Sequence, residues 1–405
     1  MPEGPRGNSI GDMKKTTRAV LTAAFAATVL SGLAAPAAAE PVVLPPVNKT
    51  GLAAAIAGLP ADGTTAALVR VTDVDPAQDW AGASGVRDRR SGAPAEVDAR
   101  VRIGSVSKVF NTAIVLQLVD EGLVDLDESV QHYLPRLLPA DYPPITVGQL
   151  LNFTSGLPSM SIPGSDEFAW QYEHRFDHWT PERYVRESLR GKKMLFAPGT
   201  KQQYVNINTV LSGLVIERVT GSTWEKQLRE RITKPLGLKD TYAPGNATGI
   251  KGEHQRGYQL VVAADGTRRF VDVTRWNVSD RFASGDMIST TADLTRFTKA
   301  LFAGEVVPDP VLENMFTVPE VPVYDGNDDP ADDEAATRSM GLQRNVLPGG
   351  IEVWGKTGAR PGYLNGIGAL RDGSRILVYS LGATDAKSED QHPLMMPIIG
   401  AAMGL

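Results

Sequence analysis

Ser105 and Lys108, three residues apart, are the pair in this sequence best suited to covalent chemistry. A hydroxyl is a poor nucleophile until a neighbouring base takes its proton, and an amine is that base only when uncharged. Residues 100–119 read as a short strand running straight into an apolar helix, with Ser105 at the junction. Val109, Ala113, Leu116 and Val119 lie among further aliphatics, so this helix is expected to be buried on most sides. Side chains at i and i+3 share a helix face, which sets the Lys108 amine beside the Ser105 hydroxyl. Burial disfavours the ammonium and should bring the amine down from ~10.4 toward neutrality. Unpaired N–H groups and partial positive charge at the helix start would stabilise an oxyanion forming there. Alone the spacing is weak, because serine and lysine are both common in the chain; a capping serine and a snorkelling lysine is the plainer reading of this stretch.

The elements that must position such a pair belong to an ordinary globular chain of 405 residues, 42% hydrophobic and 22% charged. The first residues read differently. Residues 13–18 are basic, residues 19–33 are small and apolar, and residues 37–39 are alanines, the pattern of a secretory signal peptide ending at Ala39. The apolar run is shorter than the ~20 residues a spanning helix needs. Met13 reads as the better start, leaving residues 1–12 as an upstream extension. The chain is therefore expected to be secreted. There is no cysteine, which excludes disulfides, a lipid-modified cysteine and a thiol nucleophile. The net charge is −6, and residues 1–39 hold more bases than acids, so the mature chain is more acidic still. That balance argues against nucleic acid or an anionic membrane as partner.

Residues 50–58 suggest a short helix, and residues 66–72 and 79–85 two strands. Helix signals follow at 147–151, 181–189, 207–219 and 224–232, with no convincing run of alternating strands between 123 and 282. A helix at 292–302 precedes strands at 351–354, 366–370 and 376–381 and an apolar helix at 394–403. Strands at both ends with helices between imply an α+β fold: an antiparallel sheet flanked by N- and C-terminal helices, with an inserted all-helical domain. The expected division is a sheet domain from 41–125 and 285–405 and a helical domain over 126–284, with the cleft between them.

Other candidate sites are weak. His174 and His178 stand four apart with Glu173 and Asp177 nearby, but there is no His-Glu-x-x-His, and a surface helix is the expectation rather than a zinc site. Residues 325–334 hold six acids without the spacing of a calcium loop, and read as solvated. A Ser-His-Asp triad finds no Gly-x-Ser-x-Gly elbow. No metal and no cofactor are expected.

Two further motifs change the weight of the Ser105 pair. Tyr204-Val-Asn206 precedes the helix signal at 207, and Lys356-Thr-Gly358 follows the apolar run at 351–354. Tyr363-Leu-Asn365 and Lys49-Thr-Gly51 match the same patterns, the first expected in a turn beyond Gly358 and the second ahead of the nucleophile with no strand before it. Ser-x-x-Lys, Tyr-x-Asn and Lys-Thr-Gly in this order resemble the penicillin-recognising serine hydrolases, the beta-lactamase/transpeptidase-like fold. Residues 103–135, 150–158, 234–241 and 284–293 are also similar to segments of the serine beta-lactamase-related family, which holds class C beta-lactamases, secreted D-alanyl-D-alanine carboxypeptidases and esterases.

The resemblance implies that Ser105 attacks a carbonyl to form an acyl-enzyme, with the oxyanion between the backbone N–H groups of Ser105 and Ala359. It implies that Lys108 and Tyr204 share the proton transfers, and Tyr204 is expected to have a depressed pKa because Lys108 and Lys356 favour a phenolate. Asn206 would hold the substrate amide and orient Lys108; Lys356 and Thr357, ahead of Gly358 and Ala359, would bind a substrate carboxylate. Related carboxypeptidases often carry His-Thr-Gly, whereas Lys356 matches class C beta-lactamases. The leading expectation is a monomeric D-alanyl-D-alanine carboxypeptidase acting on cell-wall peptides and acylated by beta-lactams. A class C-like beta-lactamase, an esterase or a D-amino-acid amidase share the acylation chemistry, and a non-catalytic penicillin-binding relative has no need of the full set.

Export is checked at the N-terminus: sequencing of the secreted protein should return Glu40 as its first residue. A mature chain starting at Met13, or before Ala37, would contradict the leader assignment.

Overall fold

Strands from the two ends of the chain meet in one sheet. The structure, a computed structural model, describes residues 44–159, 167–263, 265–327, 333–388 and 390–405. The expected leader and residues 328–332 of the acidic segment lie outside them. In chain order the strands are β1 (Thr64–Asp73), β2 (Trp80–Asp88), β3 (Ala93–Pro94), β4 (Val101–Arg102), β5 (Tyr258–Val262), β6 (Arg268–Asp272), β7 (Ile288–Ser289), β8 (Gln343–Leu347), β9 (Ile351–Arg360), β10 (Tyr363–Ala369) and β11 (Arg375–Ala383). The helices that matter below are α1 (Lys49–Ala55), α2 (Ser107–Asp120), α3 (Val147–Leu151), α4 (Pro181–Leu189), α5 (Asn206–Thr220), α6 (Trp224–Leu228), α7 (Thr291–Phe302) and α8 (Met395–Met403).

Seven strands form an antiparallel sheet in the order β3-β2-β1-β11-β10-β9-β8. β1 pairs with β11, Val69 opposite Tyr379, so the N-terminal strand is completed only by the C-terminal one. Alternating side chains cover both faces. Val69, Leu377 and Tyr379 meet Leu52 of α1 and Ile398 and Met403 of α8 on one side. On the other, Leu68, Ile367 and Val378 join the larger core around α2, α5 and α7. Leu44–Leu405 forms one compact unit.

The α2 helix is fully enclosed, with every residue from Ser107 to Leu116 buried. Phe110 stacks on Phe297 of α7, ring centroids 3.7 Å apart. Each such fully buried apolar side chain contributes about 1.5–3 kcal/mol, so the helix that follows Ser105 is fixed from all sides. Among its buried polar residues, Asn111 is satisfied on both sides: its Nδ2 donates to Ser212 Oγ of α5 at 2.7 Å, and the Trp224 indole of α6 donates to Asn111 Oδ1 at 3.0 Å. The local signals are those of ordinary helices. Thr146 and Gln149 form a capping box on α3, Thr180 caps α4 ahead of Pro181, and Thr290 caps α7.

Four expectations need correction. The stretch expected to lack strands contains the β5–β6 hairpin, whose exposed arginines and single-sided burial hide the alternation. Lys356-Thr-Gly358 lies inside β9 rather than after a strand, because β9 runs on to Arg360. Tyr363 and Asn365 open β10 instead of sitting in a turn. The helix expected over 224–232 ends at Leu228 and widens into a π turn at Arg229–Thr233.

Two glycines let the nucleophile turn touch the sheet. A Cβ on Gly358 would stand 2.1 Å from the Ile103 carbonyl oxygen and 2.8 Å from Ser105 N, and one on Gly104, at φ +52°, would stand 2.7 Å from Ala359 N. Backbone cannot yield as a flexible side chain does. Gly358→Ala should therefore destabilise the protein by about 1–3 kcal/mol in denaturant unfolding; an unchanged midpoint would show that β9 and the turn are not in this contact.

Candidate active site

Ser105 sits in the tight turn Gly104–Val106 between β4 and α2. The turn is tied down by Ser107, whose Oγ donates to the Gly104 carbonyl at 2.7 Å and accepts the Met287 N–H at 3.2 Å. The same turn brings Ile103 N–H to the Met287 carbonyl at 3.1 Å. The segment 284–289 therefore lies alongside the nucleophile, which explains why a stretch with no catalytic side chain pattern borders the site.

Lys108, one turn further on, is 1% exposed. Its Nζ lies 2.8 Å from Asn206 Oδ1, 2.6 Å from the Ser284 carbonyl oxygen and 3.2 Å from Ser105 Oγ. Burial, and then the neighbouring Lys356 and Arg281 charges, hold its pKa well below the usual lysine value of 10.5. A neutral amine has two N–H groups and one lone pair. Asn206 Oδ1 and the Ser284 carbonyl are acceptors and take the two N–H groups, leaving the lone pair for the Ser105 hydroxyl. That is the geometry of a general base.

Tyr204 lies just before α5, its ring 4.9 Å from that of Phe153. Lys108 Nζ, Lys356 Nζ and Arg338 Cζ stand 5.0, 4.7 and 5.3 Å from the ring centroid. The expected depressed pKa is nevertheless overturned. Burial pushes Tyr204 up to about 12, opposed only in part by the Ser105 hydroxyl that its own hydroxyl faces and by Arg338. Its own burial is the larger effect, and burial bears on the lysines too: it holds Lys108 well below its usual value and, with Arg338 next, brings Lys356 down to about 7, so neither offers a full charge to a phenolate at neutral pH. Tyr204 is thus a neutral phenol at rest, its buried hydroxyl turned to that of Ser105. Asp286 is governed by the same desolvation and is pushed up to about 8.

Lys356 and Arg360 project from one face of β9, on either side of Gly358, since side chains alternate along a strand. Lys356 Nζ donates to the Thr357 carbonyl at 2.8 Å, and the Thr357 side chain is exposed. The Gly104 and Gly358 contacts bring Ser105 N and Ala359 N together beside the nucleophile, where two backbone donors can hold an oxyanion. Ser105, Lys108, Tyr204, Asn206, Lys356 and Gly358 therefore lie around one site with the Ala359 N–H, whereas Thr357 lines a separate hollow with Asp385 and His392.

Sequence reasoning missed the rest of the cleft. Arg338 belongs to no motif, and Ser284 contributes a carbonyl that any residue would supply. Beyond Tyr204 and Asn206 a cavity of about 300 Å³ is lined by Trp170, Trp179, Trp276, Asp280, Arg281 and Arg360, among others. His174 borders it, but its Nδ1 is bonded to the Trp170 carbonyl and His178 Nδ1 to Asn246 Oδ1. The second Tyr-x-Asn serves as a support: Asn365 Nδ2 donates to the carbonyls of Arg102 and Gly358, pinning β4 to β9, and Tyr363 donates to the Gln255 carbonyl. Lys49-Thr-Gly51 opens α1, whose core packing lies on the opposite face of the sheet.

Comparisons with known proteins place this arrangement. The family model described as Beta-lactamase matches residues 52–392. Penicillin-binding protein 4 of Amycolatopsis lactamdurans is 28% identical over 56% of this chain, which spans 57% of that relative. The D-alanyl-D-alanine-carboxypeptidase/endopeptidase AmpH of Escherichia coli is 31% identical over 37% of this chain, which spans 38% of it. Among solved structures, a D-stereospecific amidohydrolase from Streptomyces sp. superposes with a TM-score of 0.74 and 31% identity, covering 87% of this chain and 98% of its own. The D-amino acid amidase of Ochrobactrum anthropi SV3, in complex with D-phenylalanine, gives 0.72 and 26%, over 88% and 97%.

The base assignment is testable by pH. With a lowered Lys108, labelling of Ser105 by a fluorophosphonate should level off well below pH 10, because the amine is already neutral there. Lys108→Met should slow it by about 10²–10⁴-fold. A wild-type rate still climbing through pH 10, or an undiminished variant, would contradict it.

Proposed function

The chain belongs to the Beta-lactamase family, whose members are serine hydrolases acting on small-molecule or peptide substrates, and on that premise we propose that it is an exported D-alanyl-D-alanine carboxypeptidase working through an acyl-enzyme on Ser105. In this reading Ser105 Oγ attacks the carbonyl while its proton passes to Lys108, and the oxyanion rests on the N–H groups of Ser105 and Ala359. As the C–N bond breaks, Tyr204 gives its proton to the leaving amine and regains one from Lys108. Water then hydrolyses the ester. Asn206 serves twice, holding Lys108 and facing the substrate amide.

The observation that carries the choice of substrate is the uncompensated positive wall on the Lys356 side. Lys356 and Arg338 both lie against the Tyr204 ring, and among the described residues neither has a carboxylate partner. A free substrate carboxylate supplies what is missing. A D-amino-acid amidase is the second reading, favoured by the superposition on the Streptomyces sp. and Ochrobactrum anthropi enzymes over most of their length.

The two readings separate on paired substrates, an acyl-D-Ala-D-Ala peptide and its C-terminal amide. The free carboxylate should raise kcat/KM, and Lys356→Met should remove about ten- to hundredfold of that advantage. Lys356 is protonated below its pKa of about 7, so the advantage should be present in acid and fall away as pH rises through that value. Equal rates on both substrates in the wild type would favour the amidase.

A further inference from the structure

Arg360 is an unusual residue to find at the end of β9. It is only 4% exposed, and its guanidinium lines the cavity beyond Asn206. It makes no ion pair among the described residues, and its Nε is a buried donor without a hydrogen-bond partner. Of the two acids whose charge acts on it, Asp280 and Asp286, the first lies 3.5 Å from Arg281 instead. Trp276 lies beneath Arg360, with Cζ 5.6 Å from the ring centroid, which supports the cation but accepts no N–H in its plane. Burial brings Arg360 down to about 10, leaving it charged at neutral pH. A buried charge without a partner is strongly disfavoured; Arg102, equally buried, spends its Nε and Nη2 N–H groups on the carbonyls of Thr248, Thr274 and Trp276 and leaves only Nη1 without a partner. A planar fork aimed into a cavity is the arrangement that binds a carboxylate through two parallel hydrogen bonds.

The place of Arg360 says which part of a substrate it would read. Lys356 and Arg360 are four residues apart on the same face of β9, so about 13 Å separates their Cα atoms, with Ser105 between them over Gly358. If the substrate's terminal carboxylate lies toward Lys356, the acyl portion extends toward Arg360. We propose that Arg360 binds a carboxylate on the acyl residue of the substrate, so that the enzyme prefers an acidic D-residue, rather than the D-alanine of a D-alanyl-D-alanine peptide, immediately before the bond it cleaves. This rests on the reading of Ser105 as nucleophile and Lys356 as the leaving-side anchor. Trp170, Trp179 and Trp276 then flank the methylene stem of that side chain.

The test compares N-acetyl-D-Glu-D-Ala with N-acetyl-D-Gln-D-Ala, which differ in charge and hardly in shape. The wild type should favour the glutamate peptide in kcat/KM by about tenfold or more. Arg360→Gln should bring the ratio near one, and Arg360→Lys should keep part of it. A wild-type ratio near one, or one unchanged in Arg360→Gln, overturns the proposal. A second readout needs no turnover of these peptides: N-acetyl-D-glutamic acid α-amide should slow fluorophosphonate labelling of Ser105 at about tenfold lower concentration than N-acetyl-D-glutaminamide. That difference should vanish in Arg360→Gln and persist in Lys356→Met. Its absence in the wild type refutes the Arg360 site even if the enzyme proves to be an amidase, whereas its presence without peptide cleavage would refute only the carboxypeptidase reading.

Discussion

Exclusion of water from the Lys108 amine is the constraint on which the rest of the site depends. An ammonium in a dry interior is disfavoured by several kcal/mol unless a counter-charge meets it, and here the contacts within hydrogen-bond reach are an amide oxygen, a carbonyl oxygen and the Ser105 hydroxyl. The amine therefore moves toward its neutral form, and two acceptors fix which way its lone pair points. The same desolvation raises Tyr204 and Asp286. One physical cause thus favours both the uncharged amine of Lys108 and the protonated phenol of Tyr204, the forms that the proposed base and proton donor require.

The fold supplies that dryness by enclosing α2. Ser105 is positioned less by its own interactions than by those of its neighbours, namely Ser107 clamping the turn, Phe110 stacked on Phe297 and Asn111 joined to Ser212 and Trp224. The remaining wall of the site is β9, and it reaches the nucleophile only because Gly104 and Gly358 leave no Cβ between the backbones. Since β9 and β10 are held through β11 by β1, both ends of the chain must be in place before the oxyanion donors come together.

Much of the site is legible in the sequence, for reasons that also explain what is not. Ser105 and Lys108 can be read because a helix fixes i,i+3 neighbours locally, and α3, α4 and α7 because apolar periodicity and caps mark them. Tyr204, Asn206 and Lys356 become legible through a resemblance, since nothing local says that β9 folds against α2. The Tyr204 pKa is misread from sequence because a lysine there counts as a full charge, and burial depth is a property of the whole fold. Arg338 and Arg360 are invisible for a related reason: an arginine in a sequence looks solvated, and only the structure shows which ones are buried without a partner. Ser284 acts through a carbonyl, which leaves no trace in side-chain type.

The cleft that results places the Lys108 amine, which burial drives toward its uncharged form, close to two basic side chains of β9, Lys356 and Arg360, on either side of Gly358. The protonation state of that amine can be observed directly. In protein labelled with ¹³C at the lysine Cε, the resonance that disappears in Lys108→Met should titrate well below the ordinary lysine value of 10.5. If that resonance instead titrates at or above 10.5, Lys108 is an ammonium at neutral pH, cannot take the Ser105 proton, and is not the base of this site.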